Sequence, residues 1–522
     1  MHWHRRLSLL AVLVIMALIV AACGTTAGDD DDVTPSDPTE PTGPSVVRVG
    51  VGADATNLCP RKTTDVASAN VINLVYAGLL VYDENLEIVP YLAKEIEMPD
   101  DTTYIFHLHE GVLFHDGVEL TAEDVKYTFD TFRDPDFGAR NIAFYDPIEE
   151  IIVHDPYTVE FKLAYPSAPI IYYLYAGIVP KHIAEEKGDE YFETNPVGAG
   201  PYVFEEWVAN DRIVLKAFDD FFEGRPEIDE IVFRPIPETV TRVVELETGG
   251  VDAIDDLPPE DVERLKGVSG IDVTIKPGTG FEYYIFDHLT DPWSDKRIRQ
   301  AFAHGLDRDA IIDHVFFGLR EVAHTPILST SWGHNPDVPK FEYNPDRVME
   351  LLEEAGYADG FSTTIGLSES PTRREIVEIT QYQMEDYGID IEILEMEWGA
   401  FSAAAVGEDF DGCIRGWSGQ TDPDRGLYRQ FHSSNWPPAG ANRQRSSNAR
   451  VDELLDLART TSDQEVRQQY YFEVQEIIAE EQNYTTLNYS ITLSAHSTDL
   501  KGYSGRDGHW YFRELKDAYL DR

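Results

Sequence analysis

The 522-residue sequence predicts an α/β protein of two lobes with an added subdomain. Three observations predict it. The chain is too long for one core, and 42% hydrophobic residues, with 27 Tyr and 25 Phe, is the composition of packed domains. Its early region mixes strand and helix patterns, and its middle returns to strands. Its last third alternates helical periodicity with strand alternation. A cleft between two such lobes is the expected place for a small ligand.

The bulk numbers exclude some classes. A formal charge of −53 leaves no basic stripe to face phosphates, so no nucleic-acid partner is expected. At the start, Arg5 and Arg6 precede an apolar run over 7–20, followed by Val20-Ala21-Ala22-Cys23-Gly24. The run is short for a membrane span and has the layout of an export signal. Small residues before Cys23 resemble the bacterial lipoprotein processing box, which implies a signal peptide over 1–22 and lipid attachment at Cys23. Residues 23–45 are Asp, Thr, Pro and Gly with little to bury, a solvated tether. No later segment has transmembrane length; the longest candidate, 168–180, is interrupted by Tyr and Gly. Cys59 and Cys413 fit no metal spacing and are expected to be buried free thiols.

The folded body opens with the β-branched run 46–51, then a helix from Ser68 to about Tyr76. Over 104–109 the pattern alternates, placing His107 and His109 on one strand face without a third metal ligand in register. His115-Asp116-Gly117 makes a turn. Thr121 starts a helix in which Asp124 reaches back as a capping box, with Val125, Phe129 and Phe132 at helical spacing. Residues 212–218 form another strand. Asp295 caps a helix carrying Ile298, Phe302, Leu306, Ile311, Ile312 and Val315. Asn344-Pro345 starts the next and Gly356 stops it; a third runs from about Arg373 to Gly388. Ile389, Ile391 and Ile393 alternate with acids as a half-buried strand, and two helices (448–458 and 462–481) precede a strand over 484–493.

Residues 411–425 draw the eye as a candidate site. A short strand at Cys413 and Ile414 breaks at Gly416, then presents Trp417 and a loop containing Gln420 and Asp422. A rigid strand feeding a polar loop is where α/β proteins hold ligands.

These motifs resemble the extracellular solute-binding proteins of bacterial importers driven by ATP-binding-cassette subunits, in the peptide/nickel class. The resemblance rests on segments in order across the body. They include Phe114-His115-Asp116-Gly117 through Leu120-Thr121-Ala122-Glu123-Asp124-Val125, Val197-Gly198-Ala199-Gly200-Pro201-Tyr202, and Arg297-Ile298-Arg299-Gln300-Ala301-Phe302. Leu351-Leu352-Glu353-Glu354-Ala355-Gly356-Tyr357 completes the set. The resemblance implies a type II, cluster C periplasmic-binding-protein-like fold. Lobe one would be 46–82, 191–284 and 491–522, the inserted subdomain 83–190, and lobe two 285–490. It implies an exported monomer, lipid-anchored outside the cytoplasmic membrane, that closes on a solute and docks on the membrane permease. Ligand contacts carried over from the resemblance fall on Thr64, Asp65, Val66 and Ala67 in lobe one, Tyr283 near the hinge, and Gly416, Trp417, Gln420 and Asp422. Peptide-binding members carry an acid where Gln420 stands, and a neutral amide lacks the charge-assisted contact for a peptide amine. Asp422 is the nearby acid, while Gln, Asp and Trp together also suit an oligosaccharide. A nickel chelate is the third cargo the class allows.

No cofactor, metal site or catalytic residue is expected. Gly-x-Ser-x-Gly, His-Glu-x-x-His and paired-cysteine metal spacing are absent from the sequence, and the Gly-rich turn at 198–200 lacks the Lys-Ser/Thr of a phosphate loop. The rival classes are a surface hydrolase using two of the many carboxylates, and an adhesin that keeps the fold without feeding a transporter.

Overall fold

The computed structural model describes residues 43–63, 65–83, 87–139, 142–407, 409–418, 422–437, 440–505 and 512–522. The signal run, Cys23, Thr64 and Gln420 lie outside the described residues. From Pro44 onward the chain forms one compact unit.

Two long strands organise it. Ile271–Phe286 and Thr485–Ser497 pair antiparallel in the middle of an 11-stranded mixed sheet. On one side, Ala253–Ile254, Val46–Val51 and Glu230–Pro235 follow in parallel, with Arg212–Ala217 and Tyr202–Val208 at the edge. On the other side lie Gly412–Trp417, Phe361–Ser368 and Ile389–Met396, the last three mutually parallel. A separate four-stranded antiparallel sheet is built from Ala93–Asp100, Thr103–Leu108, Thr158–Leu163 and Ile148–Asp155, with the helix Ala122–Phe132 against it. The large sheet is buried on both faces near Phe286. Tyr284, Phe286 and Ile414 pack with the helices Lys296–Gly305 and Pro371–Glu385, while Phe281, Tyr283, Ile285 and Cys413 pack with the helices that follow residue 422. Strands covered on both faces carry near-continuous apolar runs, as these do.

Local chemistry explains the element boundaries. The Thr121 amide donates to the Asp124 carboxylate at 2.9 Å, fixing the start of Ala122–Phe132. Asn344 accepts from the Arg347 amide at 3.1 Å, and Gly356 at φ 87° ends Pro345–Ala355. In the turn at 198–200, a Cβ on Gly198 would sit 2.2 Å from the Val75 carbonyl oxygen. Only glycine lets this turn lie against the end of the helix Val66–Val75. His107 reaches across its sheet to Glu97 at 2.9 Å, and His109 packs beside Phe222. Cys59 and Cys413 are buried free thiols.

Two elements differ from expectation. The helix expected to run from Asp295 to Val315 is two, Lys296–Gly305 and Arg308–Phe316, because Asp307 caps afresh by accepting from the Ala310 amide at 3.0 Å. The strand expected to break at Gly416 continues through it to Trp417, since Gly416 pairs with Glu282 of the long strand.

A buried acid gives the fold a testable pH response. Burial pushes the Asp255 carboxyl up to about 7, beyond what the Arg242 guanidinium pulls back. Its Oδ1 has no hydrogen-bond partner among the described residues. A carboxyl raised in the folded state binds its proton more readily there than in the unfolded chain. Stability therefore falls as pH rises through the window up to about 7, and levels off above it. Asp255→Asn should accordingly gain about 2 kcal/mol relative to the parent on going from about pH 5.5 to 8, because Asn does not titrate. Urea midpoints at the two pH values measure this; a pH-independent difference would place the titration elsewhere.

Candidate functional site

The site gathers where Gly412–Trp417 meets the long strand. Register pairs Trp417 with Phe281, Arg415 with Tyr283 and Cys413 with Ile285, so these side chains share one face. The helix Trp398–Gly407 covers that face. The Arg415 guanidinium lies 4.9 Å from the Phe401 ring centre and 5.8 Å from that of Trp398, which is 58% exposed. Beneath them Tyr283 stacks on Tyr484 at 4.2 Å with nearly parallel rings. Trp417 is half-buried, and its indole Nε1 is buried without a partner among the described residues. Gly416 and Ser418 are exposed. Partly exposed aromatic rings beside polar groups are a common component of small-ligand sites.

The expected residues part company here. Tyr283 does not line an open cleft: it is 1% exposed, because the strand carrying it is covered on both faces. Burial pushes its phenol up. Asp422 does not stand in for an amine-binding acid. Its carboxylate accepts the Asp424 amide at 2.9 Å, capping the helix Pro423–Phe431. Both its oxygens also lie 3.0 Å from Nη2 of Arg467. Burial pushes the Asp422 carboxyl up and Arg467 pulls it back, a neutralised pair away from solvent. Asp65 is likewise engaged, capping Val66–Val75 by accepting from Ser68 at 2.8 Å while also accepting from the Thr56 hydroxyl. Val66 is exposed and Ala67 half-buried on the first turn of that helix. Trp398 and Arg415 were not singled out from sequence. The Trp398–Gly407 helix is almost uniformly apolar and small, with no periodic face to betray it.

The inserted sheet's neighbourhood meets this region. The short helix Ala168–Tyr173 contacts Ala449–Thr460, and the Tyr172 phenol lies close enough to Arg467 to feel its charge. The Ser462 hydroxyl donates to Asp101 at 2.9 Å. Asp424 sits 3.3 Å from Arg459, and burial pushes its carboxyl up to about 6. Among the described residues no cluster of His, Cys, Asp and Glu has the makings of a metal site, and no helix is long and apolar enough to cross a membrane.

One large mixed sheet with two long strands at its middle, and partly exposed aromatic rings beside them, is an architecture suited to binding a small solute. The family described as bacterial extracellular solute-binding proteins, family 5 middle, matches residues 87–438, and the chain belongs to it. Among curated proteins it is 31% identical to the oligopeptide-binding protein AppA of Bacillus subtilis, over 95% of both chains. It is 32% identical to the glutathione-binding protein GsiB of Salmonella paratyphi A, over 88% of this chain and 91% of that one. The solved structure of Bacillus subtilis AppA in complex with a nonapeptide superposes with TM-score 0.76 at 30% identity, covering 92% of this chain and all of that one. The Helicobacter pylori protein DppA, in complex with the peptide STSA, gives TM-score 0.77 at 28% identity, covering 91% of this chain and 98% of that one. The fold is that of the type II periplasmic binding proteins, as the sequence resemblance implied.

Proposed function

We propose that the protein captures a peptide between its lobes outside the cytoplasmic membrane and delivers it to the permease of an ATP-binding-cassette importer. The observation that carries this reading is the near full-length match to an oligopeptide-binding protein, joined to the partly exposed Trp417 at the end of Gly412–Trp417. Residues 46–82, 191–284 and 491–522 form lobe one, 83–190 the inserted subdomain and 285–490 lobe two. Ile271–Phe286 and Thr485–Ser497 are the strands about which the lobes turn. Cys23 carries the lipid anchor, and the protein acts as a monomer, without catalysis or cofactor. Closure is a population shift: the ligand contacts both lobes only in the closed form and so favours it.

A thermal-shift screen of di- to pentapeptides, oligosaccharides and nickel chelates tests the cargo. A ligand present at about a hundred times its dissociation constant adds about 2.7 kcal/mol to stability, which moves the midpoint visibly. Peptides are expected to raise the midpoint and the other two classes to leave it unchanged. A shift by oligosaccharides or nickel chelates alone would keep the binding role and replace the cargo.

A further inference from the structure

The inserted subdomain, 83–190, meets the rest of the chain in two different ways. Toward lobe one the junction is a core. Phe106, Phe129 and Phe161 of the subdomain are buried in one apolar cluster with Leu79, Leu80, Phe218 and Phe221 of lobe one. Toward lobe two it is not. Among the described residues, no apolar cluster joins a side chain of 83–190 to one of 285–490. What meets there is polar, charged and aromatic. The Ser462 hydroxyl donates to Asp101 at 2.9 Å. The Arg425 guanidinium lies 5.7 Å from the ring centre of Phe144, which itself stacks on Tyr173 at 4.1 Å. Burial pushes the phenols of Tyr104, Tyr172 and Tyr173 up, and all three face charges of lobe two. For Tyr173 these include Asp424 and Arg425, for Tyr172 Asp422 and Arg467, and for Tyr104 Arg467.

A seam of this kind differs from a core in how it separates. Parting two apolar faces exposes them at about 25 cal/mol per Å². Parting phenols from charged groups returns both to water, and hydration offsets much of the lost contact. Buried ion pairs nearly break even against their own desolvation, so Asp422–Arg467 and Asp424–Arg459 give the seam its register more than its strength. Polar interfaces between parts of one chain are the ones expected to move. The seam also lies close to the candidate site. Five peptide units join Trp417 to Asp422, a reach of at most about 18 Å.

We infer that this seam is a latch: the inserted subdomain moves with lobe one, and its contacts with the helices after residue 422 hold the closed form together independently of the solute. The inference rests on the proposed function for its hinge, Ile271–Phe286 with Thr485–Ser497. Contacts that the solute does not make favour the closed form equally for every cargo. They slow the departure of all cargoes by one common factor and leave the ranking of affinities unchanged.

The test compares the full chain with Asp101→Ala/Tyr172→Ala and with Ser462→Ala. Asp101 and Ser462 are exposed and Tyr172 is half-buried, so the substitutions leave the cores intact. Trialanine and penta-alanine are the probes, and stopped-flow dissociation is the first readout. Each variant is expected to release both peptides about fivefold faster or more, by the same factor, with association no slower. Small-angle scattering without any peptide is the second readout: the radius of gyration should rise in the double variant relative to the parent. Acceleration confined to one peptide would place these side chains against the solute and overturn the latch. Unchanged dissociation and an unchanged radius in the double variant would overturn it as well. If neither peptide binds, the peptide reading fails, and the scattering comparison still decides the latch.

Discussion

Arg467→Ala is expected to lower the unfolding free energy by about 3–5 kcal/mol, because it strands a buried carboxylate. Asp422 is 2% exposed and Arg467 3%, and the guanidinium also donates to the Ala458 carbonyl at 3.1 Å and the Tyr471 hydroxyl at 3.1 Å. The loss is therefore the desolvation of Asp422 left unmatched, rather than the worth of one contact. Two checks separate this from simple loss of packing. Arg467→Met/Asp422→Asn removes both charges while keeping most of the volume, and should recover much of the deficit. The single variant should also be less impaired in acid. Burial already pushes the Asp422 carboxyl up, and without Arg467 it rises further, so the folded variant holds a proton that the unfolded chain has released. Its stability falls as pH rises through that range. Urea denaturation across pH measures both effects, and a deficit under about 1 kcal/mol would show the pair to be unimportant.

The same residue lies where the region of the inserted sheet meets the helices after residue 422. Tyr172 reaches Arg467 from the region of the inserted sheet, and Ser462 holds Asp101 close by. Arg467 thus neutralises Asp422 within its own helical cluster and lies against the short helix Ala168–Tyr173.

How much of this was legible in the sequence depends on how local the determining physics is. Capping boxes, Asn-Pro starts and Gly stops are read within a turn of chain, and Thr121, Asn344 and Gly356 all act as their chemistry dictates. The long strand Ile271–Phe286 was not legible. Pro277, Gly278 and Gly280 punctuate it like a loop, yet the pairing with Thr485–Ser497 absorbs them in a register shift between Pro277 and Phe281. Gly280 is required there, since a Cβ would lie 2.7 Å from the Trp417 carbonyl oxygen. The site divides the same way. Trp417 stood out because its strand and polar loop are contiguous in sequence. Arg415 meets the Trp398 and Phe401 rings only through tertiary packing, which no local pattern in the sequence announces. Asp422 misled because acidity is visible in sequence, whereas its prior engagement by Arg467 is not.

Trp417→Ala is expected to weaken ligand binding about a hundredfold, about 2.7 kcal/mol, while shifting the ligand-free midpoint by only a few degrees. The asymmetry follows from where the ring sits. It is half-buried at the end of Gly412–Trp417, against Phe281 in register, and its Nε1 lacks a partner among the described residues. A ring anchoring the core would have been fully enclosed, as Trp293 is at 0% exposure with its Nε1 donating to Thr363 at 3.0 Å. Trp417 instead holds a partly exposed apolar face and a donor unpaired among the described residues, the combination that gives aromatic residues their weight in recognition. Trp417→Phe keeps the face and removes the donor, so its affinity divides the loss between stacking and hydrogen bonding. Calorimetry with the peptide that shifts the midpoint most, alongside thermal unfolding of each variant, reads both quantities. A large fall in ligand-free stability with affinity intact would assign Trp417 to the core and move the ligand's aromatic wall to Trp398.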